Sequence, residues 1–144
     1  MYLARALGSV TRVRIRVRGA APGFTLTGVT NHRLVVLLLH STDEPDLAVA
    51  GLRIAAHGAA ILALDGEGVR LAAQGVAETL SGGPRPDVKA LLGAVPRANG
   101  EILVQRDAWR ERGYQDSALV AGALLVGAET WARLAREGVT FVTY

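Results

Sequence analysis

The sequence predicts an α/β fold, a parallel sheet with helices on both faces, and two observations carry this prediction. Residues 34–39 and 59–64 are short, continuous apolar runs, as expected of parallel strands that are covered on both faces. Segments with helical spacing alternate with such runs along the chain, and this alternation is typical of parallel strands joined by right-handed crossovers. No internal repeat or low-complexity linker interrupts the pattern.

The first half of the domain is predicted from its turn and cap residues. After the strand over residues 34–39, Thr42 or Asp43 is expected to cap a helix that has Pro45 in its first turn. Gly58 is placed to end that helix. The strand over residues 59–64 follows, and after it a helix over residues 69–80.

The second half is predicted mainly from periodicity. Residues 87–96 are expected to be helical because apolar side chains recur there at i, i+3, i+4 and i+7. A short strand follows over residues 101–105, and residues 107–113 are predicted as a polar loop or helical turn. Residues 117–127 and 128–137 are predicted as two helical segments, and residues 139–143 as the last strand.

The first 32 residues differ from the rest and are predicted to be a basic β-hairpin extension, with the α/β domain over residues 33–144. Apolar residues at positions 13, 15 and 17 alternate with four arginines, Arg12, Arg14, Arg16 and Arg18, which is the period of a half-buried strand. The chain carries a net charge of +3. Residues 1–33 hold six arginines and no acid, so the remaining ten basic and thirteen acidic groups give the rest of the chain a charge of −3.

Composition excludes several kinds of chemistry. The chain has 144 residues, and half of them are hydrophobic, which is enough for one domain with its own core. Because it has no cysteine, disulfides and thiolate catalysis are ruled out. With only three histidines, His32, His40 and His57, neither a metal site nor a cofactor is expected. No apolar run approaches the roughly 18 to 20 residues that span a bilayer, so no membrane contact and a cytoplasmic location are expected.

The predicted topology places a candidate pocket at the carboxyl edge of the sheet, the edge at which the parallel strands end. Ligands of open α/β sheets bind beyond this edge. Polar residues follow three of the predicted strands there, over residues 40–44, 65–69 and 105–112.

These three segments resemble the signature of the DsrE/DsrF-like family, small flavodoxin-like proteins that include sulfur-relay subunits. They read VVLLLHSTDEPDLAVAGLRIA, ILALDGEGVRLAAQG and ILVQRDAWRERGY. The third is the most specific, because Arg112 and Gly113 match the Arg-Gly pair of the family and Gln105 falls where the family often has a cysteine. The resemblance covers about residues 33–144 and implies a three-layer flavodoxin-like fold.

The resemblance also implies what is retained and what is lost. Relatives with the cysteine pass a persulfide between thiols, which needs an exposed thiolate, and an amide such as that of Gln105 has no such nucleophile. Relatives commonly form dimers, trimers or hexamers, so a homo-oligomer with possible sulfur-handling partners is expected. The small-residue segment over residues 120–134 would suit a packed helix pair.

Each candidate ligand-binding residue has a structural alternative. His40, beside Ser41, could bind a ligand or simply end its strand, whereas Asp43 is better explained as a helix cap. Gly66 and Gly68 could bring backbone N–H groups to an anion, but a plain strand-to-helix turn is the simpler interpretation. After the third strand, Gln105 is a candidate by its position at the strand end. The arginines that follow could form either an anion clamp or a solvated ion-pair cluster with the neighbouring Asp107 and Glu111; they are Arg106, Arg110 and Arg112.

Three hypotheses for function follow. The leading one is a non-catalytic oligomeric subunit or small-ligand-binding protein related to sulfur-relay proteins. The second is an enzyme that acts on a small anionic substrate through His40 and the loop from Gln105 to Arg112. The third is a nucleic-acid-binding module that uses the arginines of residues 12–18. Nucleic acid is not the favoured partner, because no aromatic residues interleave with them as a stacking platform requires. The favoured interpretation is a charged edge strand that blocks aggregation or docks on the acidic body of a neighbouring subunit.

Overall fold

A computed structural model of the chain describes residues 34–57, 60–136 and 140–144. The predicted hairpin extension, its arginines and Gly58 lie outside these residues. Within these ranges the chain forms five strands and five α-helices, with 3₁₀ turns over Gly66–Ala72 and Asp116–Ala118. In chain order the elements are β1 (Leu34–Leu38), α1 (Pro45–Ala56), β2 (Ile61–Leu64), α2 (Val76–Leu80), α3 (Val88–Arg97), β3 (Glu101–Gln105), α4 (Arg106–Glu111), β4 (Ala123–Val126), α5 (Ala128–Arg136) and β5 (Thr140–Thr143).

The five strands form one sheet in the order β4-β3-β2-β1-β5, and every neighbouring pair is parallel. The register aligns Leu38 of β1 with Leu64 of β2, and Leu64 with Val104 of β3. Because the strands end together, the loops after β1, β2 and β3 emerge at one carboxyl edge. The predicted parallel α/β sheet is therefore confirmed.

The first face of the sheet is covered by α1, α2, α3 and α4. Alternate strand residues point to this face and pack with helical side chains such as Leu52, Val95 and Trp109, all fully buried. The strand residues of this cluster include Val36, Leu38, Leu62, Leu64, Ile102 and Val104. This face holds most of the core.

The second face carries α5 alone among the described elements. Its Leu134 and Trp131 pack on a smaller set of buried strand residues, Val35, Ile61, Ala63 and Leu103. Helices on both faces make three layers, as predicted, with the second helical layer much thinner than the first.

Two helix predictions are wrong. Residues 69–80 do not form one helix: a 3₁₀ turn ends at Ala72, and Gly75, with φ +86°, separates it from α2. Residues 117–127 hold the 3₁₀ turn over Asp116–Ala118 and strand β4. The segment over residues 120–134 is therefore half strand and half helix, and the predicted helix pair does not exist.

None of the helices in the described ranges is long and apolar enough to cross a membrane.

Candidate functional site

The carboxyl edge is fixed by backbone hydrogen bonds at the ends of β1, β2 and β5. Leu39 N donates to Tyr144 O at 2.8 Å, and Tyr144 N donates to Leu37 O at 2.9 Å. Asp65 N donates to Leu38 O at 3.2 Å. The loops that carry the candidate residues therefore start from well-anchored strand ends.

The loop after β1 is closed by Asp43. Its carboxylate accepts the Ser41 backbone N–H at 2.7 Å and lies 2.7 Å from His40 Nδ1. Because a carboxylate only accepts, Nδ1 carries the proton of this bond, which leaves Nε2 as the ring nitrogen directed elsewhere. The prediction that Thr42 or Asp43 caps α1 is wrong: Glu44 occupies the cap position and makes no side-chain cap bond.

The contacts of Asp43 change its acidity. Partial burial raises the pKa of this carboxyl, but the hydrogen bonds from His40 and from the Ser41 N–H outweigh it and lower the pKa below its ordinary value. Asp43 and His40 are each about one-third exposed, both at 36%. His40 and Asp43 can thus form an ion pair, when the histidine is protonated, at the surface of the carboxyl edge.

Ser41, between His40 and Asp43 in the chain, differs from both in its burial. It is fully buried, and its Oγ has no hydrogen-bond partner among the described residues. A buried hydroxyl without a partner is uncommon because its desolvation is uncompensated. Ser41 therefore faces the interior and is not placed to act as a surface nucleophile.

The loop after β2 requires its glycines. Asp65 Oδ1 accepts the Gly66 N–H at 2.7 Å, and Gly66 has φ +53°, which glycine adopts at little cost. A Cβ at Gly68 would lie 2.0 Å from Leu38 O. This close passage against β1 supports the simpler interpretation of the two glycines, a tight strand-to-helix turn.

Glu67, between these glycines, joins the loops after β2 and β3. Arg112 donates to Glu67 Oε1 from Nε at 3.2 Å and from Nη2 at 3.0 Å, while Arg70 Nε donates to Oε2 at 2.6 Å. A third Arg112 nitrogen, Nη1, donates to Ala108 O at 3.0 Å. Arg112 is therefore not a free anion clamp, and its carboxylate partner is Glu67 of the β2 loop rather than one of the neighbouring acids Asp107 and Glu111.

The other two residues of the β3 loop also have intramolecular roles. The Gln105 side chain accepts the Ala108 N–H at 2.7 Å through Oε1 and so caps α4. Arg106 donates from Nη2 to Leu125 O at 3.3 Å and ties this loop to β4. The sequence pattern predicts neither contact.

Trp131 also contacts this edge of the sheet, which the sequence pattern does not predict. Its Nε1 donates to Asp65 Oδ2 at 3.2 Å, across 66 positions of the chain. The signal was weak, because an indole on an amphipathic helix is adequately explained as core packing. Glu67 carries no sequence signal of its own beyond its position between Gly66 and Gly68.

The structure thus brings together part of the predicted site. Glu67 and Arg112 meet, and so do Asp65 and Trp131, but among the described residues no hydrogen bond or ion pair joins His40 to Gln105 or Arg112. In the same part of the chain, no three His, Asp or Glu side chains cluster as a metal site would require.

Comparisons with known proteins support the fold. No protein-family model and no curated protein sequence matches the chain. Among solved structures it is similar to the ychN protein from E. coli, with a TM-score of 0.58 and 14% identity over 78% of this chain and 99% of that one. It is also similar to MTH1491 from Methanobacterium thermoautotrophicum, a protein of unknown function, with a TM-score of 0.54 and 16% identity over 79% of this chain and all of that one. At these identities the likeness establishes a common fold, a flavodoxin-like α/β domain.

Proposed function

We propose that this protein is a non-catalytic, cytoplasmic subunit of a homo-oligomer, built on the scaffold of the DsrE/DsrF-like sulfur-relay proteins and acting beside sulfur-handling partners. The observation that carries the proposal is the role of Gln105. At the position where those proteins often have a cysteine, this chain has an amide that caps α4. A capping side chain contributes to stability and offers no nucleophile.

The surrounding contacts support a structural role for the carboxyl edge. Arg112 and Arg70 neutralise Glu67, and Arg106 holds a backbone carbonyl of β4. Groups committed to partners within the chain would have to break those contacts before they could bind a substrate. The arrangement therefore favours rigidity over chemistry.

The edge strand β4 supports self-association. Its sequence, ALLV, contains no charge or proline, the devices that usually protect a sheet edge from pairing with another chain. Among the described residues Leu124 is the large apolar side chain left exposed, at 58%. A second copy that covers β4 would bury it.

The test is the mass of the protein in solution, measured by light scattering during gel filtration over a wide concentration range. We expect a mass that is a small whole multiple of the 15.1 kDa chain. A monomer at every concentration would contradict the proposal, whatever the role of Gln105.

A second candidate function rests on the His40–Asp43 pair. A histidine oriented by a carboxylate, with its other ring nitrogen directed away, is the arrangement of a general base. This enzyme hypothesis can be examined with p-nitrophenyl phosphate and p-nitrophenyl acetate as anionic and neutral probe substrates. Hydrolysis that is lost in His40→Ala and reduced in Asp43→Asn would favour it, and equal rates in all three proteins would exclude it for these substrates.

A further inference from the structure

A groove on the first face of the domain lies away from the carboxyl edge and shares no residue with the candidate site described there. It has a volume of about 680 Å³ and runs between α2, α3 and the loop before β4. Ile102, at the start of β3, lines it, so it lies toward the amino ends of the strands. Its size falls within the range of small-molecule sites, roughly 300 to 1,000 Å³.

The inner lining of the groove is apolar. Its apolar side chains come from α2, α3, β3 and the loop before β4; they are Ala77, Leu92, Ile102 and Val120. Leu92 and Ile102 are buried in the core cluster, and Val120 is partly buried against it. Contact with the hydrocarbon part of a ligand would be favourable in free energy, because it removes water from this apolar surface.

The middle of α3 leaves room in the groove because residue 93 is glycine. A Cβ placed on Gly93 would have one neighbour within 4 Å, Arg97 Nη2 at 3.8 Å. The space beside α3 is therefore open, and a larger side chain at this position would occupy it without disturbing the backbone.

Arg97 occupies part of the space that Gly93 leaves. Its side chain folds back along α3, and Nη2 donates to Ala90 O at 3.3 Å. The guanidinium thus lies along the groove-facing surface of the helix, held by one hydrogen bond to a neutral carbonyl. Its remaining N–H donors match the geometry of a carboxylate.

The other charged groups of the groove already have partners. Lys89 pairs with Glu78 at 2.9 Å, and Asp87 accepts the Ala90 N–H at 2.9 Å as the cap of α3. Among the described residues no carboxylate pairs with Arg97. Of the two cations in the described lining, Arg97 is therefore the one without an ion-pair partner, and it lies beside an apolar floor.

We propose that this groove binds a small amphipathic carboxylate, with its apolar body on Leu92, Ile102 and Val120 and its carboxylate on Arg97. Two complementary surfaces carry the assignment. The apolar floor selects hydrocarbon, and the unpaired guanidinium selects a single anionic group.

The experiment is isothermal titration calorimetry of the full chain with octanoate, and with octanol as its neutral counterpart. Arg97→Gln removes the charge, and Gly93→Leu fills the groove. Arg53→Gln, which removes an exposed charge on α1, and Ala132→Leu, which adds a leucine on the exposed surface of α5, are the matched controls. Circular dichroism and thermal unfolding establish that each variant folds.

We expect Arg97→Gln to weaken octanoate binding about tenfold, because it deletes a charge-assisted bond, and to leave octanol binding nearly unchanged. Gly93→Leu should abolish binding of both probes, and both controls should bind as the wild type does. Octanoate binding unaffected by Arg97→Gln overturns the carboxylate assignment, and binding unaffected by Gly93→Leu overturns the site. If neither octanoate nor octanol binds the wild type saturably up to about 1 mM, the proposal as a whole is overturned.

Discussion

Trp131 donates its indole N–H to the carboxylate of Asp65, with an N–O distance of 3.2 Å. Trp131 belongs to α5, which alone among the described elements covers the second face of the sheet. Asp65 directly follows β2, the middle strand of the sheet. The other carboxylate oxygen of Asp65 accepts the Gly66 N–H. One side chain therefore fixes both the turn after β2 and the position of α5.

The first prediction concerns the coupling of these two residues. Trp131→Phe keeps an aromatic ring on the second face and removes the donor, so we expect a loss of about 1 kcal/mol in the free energy of unfolding. Asp65→Ala should cost more, because it also removes the acceptor for Gly66. Urea unfolding of both single variants and of the double variant measures the coupling.

In the double variant, Trp131→Phe should cost little once Asp65 is already alanine, since the bond is absent. Losses that simply add would mean that the indole–carboxylate bond does not stabilise the protein.

The second prediction contrasts two glycines. In Gly68→Ala the new Cβ would meet Leu38 O at 2.0 Å, so the turn must move away from β1, and a loss of roughly 3 kcal/mol or more is expected. Gly93→Ala places its Cβ in open space within α3 and should stabilise the helix by about 0.5 to 1 kcal/mol. Thermal unfolding of the two variants should move in opposite directions, and equal shifts would contradict the packing described for Gly68.

Four of the five strands, including the edge strand β5, could be predicted from local sequence, and the other edge strand, β4, could not. The strands β1, β2 and β3 are apolar runs, and α3 shows helical periodicity over Val88, Leu91, Leu92 and Val95. The prediction of a helix over residues 117–127 is wrong for β4, because a short apolar run among small residues fits a helix as well as a strand. Its pairing with β3, a contact between distant parts of the chain, decides the outcome.

The position of the candidate site could be predicted, but the contacts between its side chains could not. Topology correctly placed the loops of residues 40–44, 65–69 and 105–112 at one edge. The partners were not predictable, because Glu67 with Arg112 and Asp65 with Trp131 depend on how the loops fold after the strands end. The partners of Asp43 could not be predicted either. This residue is suited to helix capping, but it closes the turn that holds His40 instead.

The third prediction tests the role of Gln105 as a cap. Gln105→Ala leaves the Ala108 N–H without its acceptor and should lower the free energy of unfolding by about 1 kcal/mol. Gln105→Glu retains an acceptor oxygen and adds a negative charge at the start of α4, which favours the helix. Denaturant unfolding should therefore place Gln105→Glu near the wild type, and a glutamate variant as unstable as the alanine variant would argue against capping.

The fourth prediction concerns acid stability. The pKa of Asp43 is lowered in the folded protein, with the hydrogen bonds from His40 and Ser41 N–H outweighing burial. Its contribution is therefore fully present above the unfolded pKa of about 3.9 and is lost as the pH falls through the lower folded value. Asp43→Asn should reduce the dependence of stability on pH below about pH 4.

The comparison variant for acid stability is Asp107→Asn, which neutralises an exposed carboxylate in the first turn of α4. Urea unfolding at a series of pH values measures both variants. A slope against pH that is the same for the wild type and Asp43→Asn would show that Asp43 does not contribute.

The fifth prediction tests β4 as the surface of self-association. Leu124 is 58% exposed, so Leu124→Lys loses little packing within the chain and should change the free energy of unfolding by no more than about 0.5 kcal/mol. A lysine at an edge strand opposes pairing with another chain. We therefore expect a smaller mass in solution for Leu124→Lys at unchanged fold, measured by light scattering and circular dichroism. Ala132→Lys, which adds the same charge at an exposed position of α5, should leave the mass unchanged, and an equal effect of both variants would point to a surface other than β4.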